Sequence, residues 1–149
     1  MSLTDPQSMR IRVKKLDPRA QIPRYIRGEE DAALDLYTIE GGTIPAGQGR
    51  IFSTGLAFEI PKGTVGLVCD RGGLAFNHDL TTVGGVLDHG YRGDLKIKLM
   101  NLGQNDYQIE DGDRIAQLIV IQTGLVEIEE ADQLSDTKRG ANAFGSSGR

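Results

Sequence analysis

Apolar side chains recur at every second position in short runs along this chain, and that period is the strongest constraint on its fold. Ile11 and Val13 alternate with arginine and lysine, and Leu95, Ile97 and Leu99 alternate with Lys96 and Lys98. A period of two turns one face of the backbone to a core and the other to water, as in a half-buried strand. Residues 56–60, 66–69 and 115–121 read as further strands, the last two more evenly buried. Gly41-Gly42, Pro45-Ala46-Gly47 and Asp111-Gly112-Asp113 supply turns between them. Helical signal is confined to residues 73–78 and, more weakly, 129–134, neither with several turns of apolar periodicity. The expected fold is all-β, with strands packed as a jelly roll or distorted barrel.

A length of 149 residues suits one domain with a core of its own. The formal charge of -4 argues against a nonspecific nucleic-acid binder, which carries a basic surplus to neutralise phosphates, so no direct nucleic-acid binding is expected. Cys69 is the only cysteine, which excludes an intrachain disulfide, and with only His78 and His89 beside it a structural zinc site is not expected. No apolar run approaches the roughly 20 residues that span a bilayer, and no signal-peptide core follows Met1. The expectation is a cytoplasmic protein with no membrane contact. Residues 1–9 are polar and patternless and read as a leader or disordered terminus, residues 10–134 as the β domain, and residues 135–149 as a flexible arm. On composition alone that arm, rich in glycine, serine and asparagine, is a solvated linker.

Four blocks have the makings of a site: Asp31-Ala32-Ala33-Leu34-Asp35-Leu36-Tyr37, Asp70-Arg71-Gly72-Gly73-Leu74-Ala75, the long run from Thr82 through Gly84-Gly85-Val86-Leu87-Asp88-His89-Gly90-Tyr91-Arg92-Gly93-Asp94, and Gly112-Asp113-Arg114-Ile115-Ala116-Gln117. A fifth, Arg139-Gly140-Ala141-Asn142-Ala143-Phe144-Gly145-Ser146, lies in the arm. Taken singly, each has an ordinary structural explanation. Asp88 before His-Gly is a turn former, Tyr91 a core tyrosine at a strand start, Lys96 a solvent-facing strand residue, and Arg71 or Arg139 a surface arginine. No Gly-Lys-Ser or Gly-Lys-Thr occurs, so a P-loop is absent.

Together and in this order the five blocks resemble the trimeric dUTP diphosphatase (dUTPase) family, over nearly the whole chain. The resemblance implies a dUTPase-like β-clip fold, a homotrimer, and hydrolysis of dUTP to dUMP and pyrophosphate by attack of water on the α-phosphorus. It makes Asp88 the general base and Tyr91 the ring that packs on deoxyribose and leaves no space for a 2′-hydroxyl. Main-chain groups of the hairpin Thr82, Gly85, Val86 and Leu87 would pair with uracil, where glycine lets the backbone come close. Arg71 and Arg139 would bind phosphates as fork-shaped donors, with Gly72 and Gly73 beside them, and Gln117 would meet the α-phosphate. Lys96 aligns with a further substrate contact, and Asp35 with a structural aspartate. Phe144 would cover the uracil as the arm closes, with Gly145 and Ser146 on the γ-phosphate. Two arginines do not neutralise a triphosphate, so Mg²⁺ held by phosphate oxygens and water is implied, with no direct protein ligand.

The chain departs from the family pattern at Gly72, where a phosphate-binding serine is usual, at Ala33, and at Ala141-Asn142-Ala143. Loss of one transition-state donor costs about 3 kcal/mol, which keeps open a noncatalytic nucleotide-binding or regulatory trimer. dCTP deaminases share fold and trimer, but their glutamate base falls where this chain has Lys98.

Overall fold

The computed structural model describes residues 9–143. Each alternating run becomes a strand, and every pairing is antiparallel. The strands are β1 (Arg12–Lys15), β2 (Leu34–Tyr37), β3 (Gly42–Ile44), β4 (Gly49–Ser53), β5 (Leu56–Glu59), β6 (Thr64–Cys69), β7 (Leu80–Val83), β8 (Val86–Asp88), β9 (Lys96–Asn101), β10 (Tyr107–Ile109) and β11 (Arg114–Gln122). They form four small sheets, ordered β2-β11-β6-β8, β4-β9-β7, β1-β5 and β10-β3. No closed barrel is found, because no ladder joins these sheets edge to edge. Leu36, Phe52, Phe58, Leu80, Leu99 and Leu118 fill the core they enclose, each at most 2% exposed.

The helix expected over residues 73–78 exists as α1 (Gly72–His78) and begins one residue earlier. The weaker one over 129–134 does not form: residues 123–143 contain neither helix nor strand. Glu129, Glu130 and Asp132 place charge where a helix would need an apolar stripe. Strands β6 and β11 are also not evenly buried. Along β6, Thr64, Gly66 and Val68 face the core, while Val65, Leu67 and Cys69 are half-exposed on a face that the described residues do not cover completely.

A second correction concerns the supposed hairpin of Thr82 and Leu87. Strands β7 and β8 are not partners: β7 pairs with β9, and β8 pairs with β6. The intervening Gly84-Gly85 therefore carries the chain from one sheet to another. Gly85 has φ +105°, and a Cβ there would sit 2.7 Å from the Val68 carbonyl oxygen. Only glycine fits that crossing.

One buried polar side chain pins the end of β9. The Asn101 amide donates to the carbonyls of Ile44 at 3.0 Å and Asn105 at 2.8 Å, and its Oδ1 accepts the Gly103 N–H at 2.9 Å. Asn101 is 1% exposed and its bond to the Ile44 carbonyl is buried, while Gly103 is half-buried and Asn105 exposed. Asn101→Ala is expected to lower unfolding free energy by about 3 kcal/mol, through groups left unpaired in the interior; a denaturant midpoint unchanged from wild type contradicts this.

Among the described residues, no helix is long and apolar enough to cross a membrane.

Candidate active site

The register of β11 assembles one cluster of functional side chains. Gln117 lies opposite Asp35 on β2 and opposite Cys69 on β6, so all three side chains share the face turned away from the core. Asp70 and Arg71 follow directly as β6 runs into α1. Between Arg114 and Ala116 the pairing with β2 slips by one residue, a β-bulge. Regular alternation would aim Arg114 at the core beside Ala116 and Leu118; the extra residue returns it to the side of Asp35 and Gln117.

Asp35 is the hub of this cluster. Its Oδ1 accepts from Arg71 Nε at 3.3 Å and its Oδ2 from Arg114 Nη1 at 3.0 Å. Arg71 Nη1 donates in turn to the Arg114 carbonyl at 3.2 Å. One carboxylate, its side chain 12% exposed, thus holds two like charges together. The remaining guanidinium donors face a cleft of about 460 Å³ lined by Arg27, Asp31, Asp35, Arg71, Arg114 and Gln117, with Gly72 at its wall. A Cβ at Gly72 or Gly73 would meet nothing within 4 Å, so packing does not demand glycine at either position.

Gln117 and Asp70 are coupled. Gln117 Nε2 donates to the Asp70 carbonyl at 2.7 Å, leaving one N–H of that amide for a ligand. The Asp70 carboxylate accepts the Thr82 N–H at 2.6 Å, the Thr82 hydroxyl at 2.7 Å and the Thr81 hydroxyl at 2.8 Å. Partial burial raises its pKa, but the amide and hydroxyl of Thr82 and the hydroxyl of Thr81 outweigh that and hold it below the usual carboxylate range. Thr82's amide is therefore already committed, as is the Gly85 carbonyl, which accepts the Val68 N–H at 2.8 Å.

Asp88 and Tyr91 lie elsewhere. Asp88 pairs with Val65 on β6, four residues from Cys69, about 13 Å along the strand and about 10 Å across the sheet from Gln117. Its carboxylate is exposed and has no hydrogen-bond partner among the described residues, and its carbonyl accepts the Tyr91 N–H at 3.1 Å. The Tyr91 hydroxyl donates to the Asp94 carbonyl at 3.0 Å, over Gly93. The Asp94 carboxylate accepts from the Ser53 hydroxyl at 2.6 Å and from the Gly55 N–H at 3.0 Å, which anchors this turn to the body. Lys96 is exposed beside Ser53 on β9. Val86 is exposed and Leu87 buried, so Leu87 has only main-chain groups for a ligand.

Arg139 stands apart from both groups. Its Nε donates to the Asn142 carbonyl at 3.0 Å within a local turn. Phe144, Gly145 and Ser146 lie outside the described residues.

Sequence reasoning overlooked Arg114, Arg27 and Asp70. Arg114 and Asp70 sit inside blocks already singled out, and adjacency to Gln117 and Arg71 was the available signal. Arg27 carries none.

Among the described residues, no group of three or more His, Cys, Asp or Glu side chains is arranged to hold a metal ion. The guanidinium-rich cleft has the chemistry of an anion site, and its deepest carboxylate has both oxygens engaged.

An antiparallel β-domain with arginines converging on such a cleft offers the charge-assisted, fork-shaped donors that suit an anionic ligand such as phosphate. A dUTPase family model matches residues 19–148. The deoxyuridine 5'-triphosphate nucleotidohydrolase of Solibacter usitatus is 44% identical over 144 residues, covering 95% of this chain and 97% of that protein. The enzyme of the same name from Gloeothece citriformis is 40% identical over 142 residues, covering 94% and 97%. The dUTPase of Staphylococcus bacteriophage 80alpha, solved with dUpNHpp, superposes with a TM-score of 0.88 at 28% identity, covering 94% of this chain and 99% of that one. The chain belongs to the dUTPase family.

Asp35→Ala leaves two guanidiniums side by side without their shared counter-ion. The expected loss is about 2 kcal/mol, below that of a fully buried pair because both arginines reach water. Thermal or denaturant unfolding checks it, and an unaltered stability contradicts the hub role.

Proposed function

We propose that this protein hydrolyses dUTP to dUMP and pyrophosphate, which limits uracil incorporation into DNA and supplies dUMP for dTMP synthesis. The observation that carries the reading is the pair of guanidiniums from Arg71 and Arg114 held on Asp35 over a cleft, in a chain of the dUTPase family. In this reading Asp88 takes a proton from water as the water oxygen bonds to the α-phosphorus. The bond from that phosphorus to the bridging oxygen breaks, and pyrophosphate leaves with the electron pair. The absence of any hydrogen bond to the Asp88 carboxylate among the described residues leaves both oxygens able to accept from water.

Arg71 and Arg114 bind phosphate oxygens, and the remaining N–H of Gln117 meets charge as it develops at the α-phosphate. Tyr91, held by Asp94, packs on the deoxyribose. Uracil pairs with main-chain groups of residues 83–87 that the fold has not already used, and Lys96 contacts substrate from β9. Mg²⁺ fits a site of this composition as a cation that arrives on the triphosphate, held by phosphate oxygens and water, with no protein ligand. It supplies charge neutralisation and orients the phosphate chain.

We propose further that the working unit is a homotrimer in the cytoplasm. Asp88 and Tyr91 stand too far from Gln117 in one chain to act on one nucleotide, which supports a site completed across a subunit boundary. A contact of one chain's Asp88 corner with the next chain's cleft is heterologous, and such contacts close only as a ring; the family resemblance makes it threefold. The exposed apolar face of β6 and β8, with Val86 68% exposed, supports the same reading. So do Leu125, Val126 and Ile128, each more than 80% exposed. In this scheme residues 10–134 are the β domain, and residues 135–149 the arm that brings Arg139, Phe144, Gly145 and Ser146 over the nucleotide.

Asp88→Asn is expected to lower kcat for pyrophosphate release about 1,000-fold or more while leaving affinity for a nonhydrolysable dUTP analogue within about threefold. Tight analogue binding by wild type without pyrophosphate release would replace the hydrolase with a noncatalytic binder. Light scattering coupled to gel filtration is expected to give three times the mass of one chain. A monomer that hydrolyses dUTP at full rate sinks the shared site.

A further inference from the structure

Tyr91 stands on a turn whose two ends are tied down separately. Its N–H donates to the Asp88 carbonyl at 3.1 Å, which holds it to the end of β8. At the far end the Asp94 carboxylate accepts the Ser53 hydroxyl at 2.6 Å and the Gly55 N–H at 3.0 Å. The next residue, Leu95, is buried and donates its N–H to the Leu56 carbonyl at 2.8 Å. The Tyr91 hydroxyl closes the turn by donating to the Asp94 carbonyl at 3.0 Å. Where β4 and β5 hold Asp94 thus sets where the ring stands.

Gly93 supplies the space for it. A Cβ there would overlap the Tyr91 hydroxyl oxygen and lie 2.6 Å from Cζ and 3.0 Å from Cε2, far inside van der Waals contact. Gly93 lacks the positive φ that favours glycine, so its own backbone would accept a side chain and only the tyrosine ring forbids one. Gly90 in the same turn is different, since a Cβ there would meet nothing within 4 Å. The outer edge of the ring thus lies against bare backbone, while Tyr91 stays 46% exposed and keeps surface for a sugar.

We propose that Gly93, together with Asp94 held on Ser53, is the seat that sets how far the Tyr91 ring reaches toward the 2′ position of the nucleotide, and so how strictly a ribose is refused. This rests on the reading of the protein as a dUTP hydrolase whose Tyr91 packs on the deoxyribose. Every residue of the seat comes from one chain and from one side of the shared site, so all of it serves the same nucleotide. Gly93 and Ser53 are positioning residues that act through Tyr91. Refusal by contact needs a wall that does not yield, and a ring that can retreat no longer excludes one extra oxygen.

The test is steady-state pyrophosphate release from dUTP and from UTP by full-length wild type, Gly93→Ala, Ser53→Ala, Tyr91→Ala and the double variant Tyr91→Ala with Gly93→Ala, each well below its thermal midpoint. Gly93→Ala is expected to lower the preference for dUTP over UTP, taken as the ratio of kcat/KM values, about tenfold, because dUTP loses its ring contact and UTP loses an obstacle. Ser53→Ala removes one of the two bonds on the Asp94 carboxylate and is expected to lower the ratio about threefold, which keeps the proposal testable if Gly93→Ala does not fold. In the double variant Gly93→Ala is expected to change the ratio no further than Tyr91→Ala alone, because no ring remains to displace. A merely structural loss lowers kcat/KM for both nucleotides alike, so an unchanged ratio in both Gly93→Ala and Ser53→Ala overturns the seat, as does a further large fall in the double variant. Equal release from dUTP and UTP by wild type leaves the hydrolase reading standing and overturns this inference alone. Absence of release from dUTP by wild type overturns the hydrolase reading, and this inference with it.

Discussion

The register of β11 between β2 and β6 is the constraint from which the phosphate-side cleft follows. Gln117 must face both Asp35 and Cys69 for the amide to reach the Asp70 carbonyl. A slip by one residue would send Gln117 into the core and Leu118 into water. Burial of Ile115, Ala116 and Leu118, each at most 1% exposed, forbids that slip. The packing of apolar residues on one face thereby holds polar chemistry in place on the other.

The bulge at the start of β11 adds what register alone cannot. It brings Arg114 to the same carboxylate as Arg71, so that two cations stand together on one anion with net charge left over. Such an arrangement favours a polyanionic ligand, because phosphate oxygens supply the missing negative charge without displacing Asp35. The three donors on Asp70 serve a different purpose, since they carry no charge and fix geometry across a gap between sheets.

Much of the architecture was legible from alternation. The runs at residues 56–60, 66–69 and 115–121 became β5, β6 and β11, with β5 burying three consecutive residues, Leu56, Ala57 and Phe58, and β6 burying alternate ones. Where legibility failed, the reason lay in partners distant in sequence. Thr82 and Leu87 look like two arms of a hairpin, yet each strand finds a better ladder elsewhere, β7 with β9 and β8 with β6. The even burial expected of β6 did not occur because, among the described residues, no layer covers its outward face. Residues 129–134 offered weak periodicity and too much charge to be rescued by packing. Of the candidate site, Asp35, Arg71 and Gln117 are brought together, whereas Asp88 and Tyr91 are held at the far end of β6 and Arg139 in a local turn.

By itself the sequence determined the strand content, the glycine turns and the family, because side-chain alternation and motif order are local properties written along one dimension. Only the tertiary structure decided which side chains meet. The bulge that re-aims Arg114, the carboxylate that gathers two arginines and the Asp70 link between sheets each join residues from strands far apart in the chain, and such contacts are set by register and burial in three dimensions.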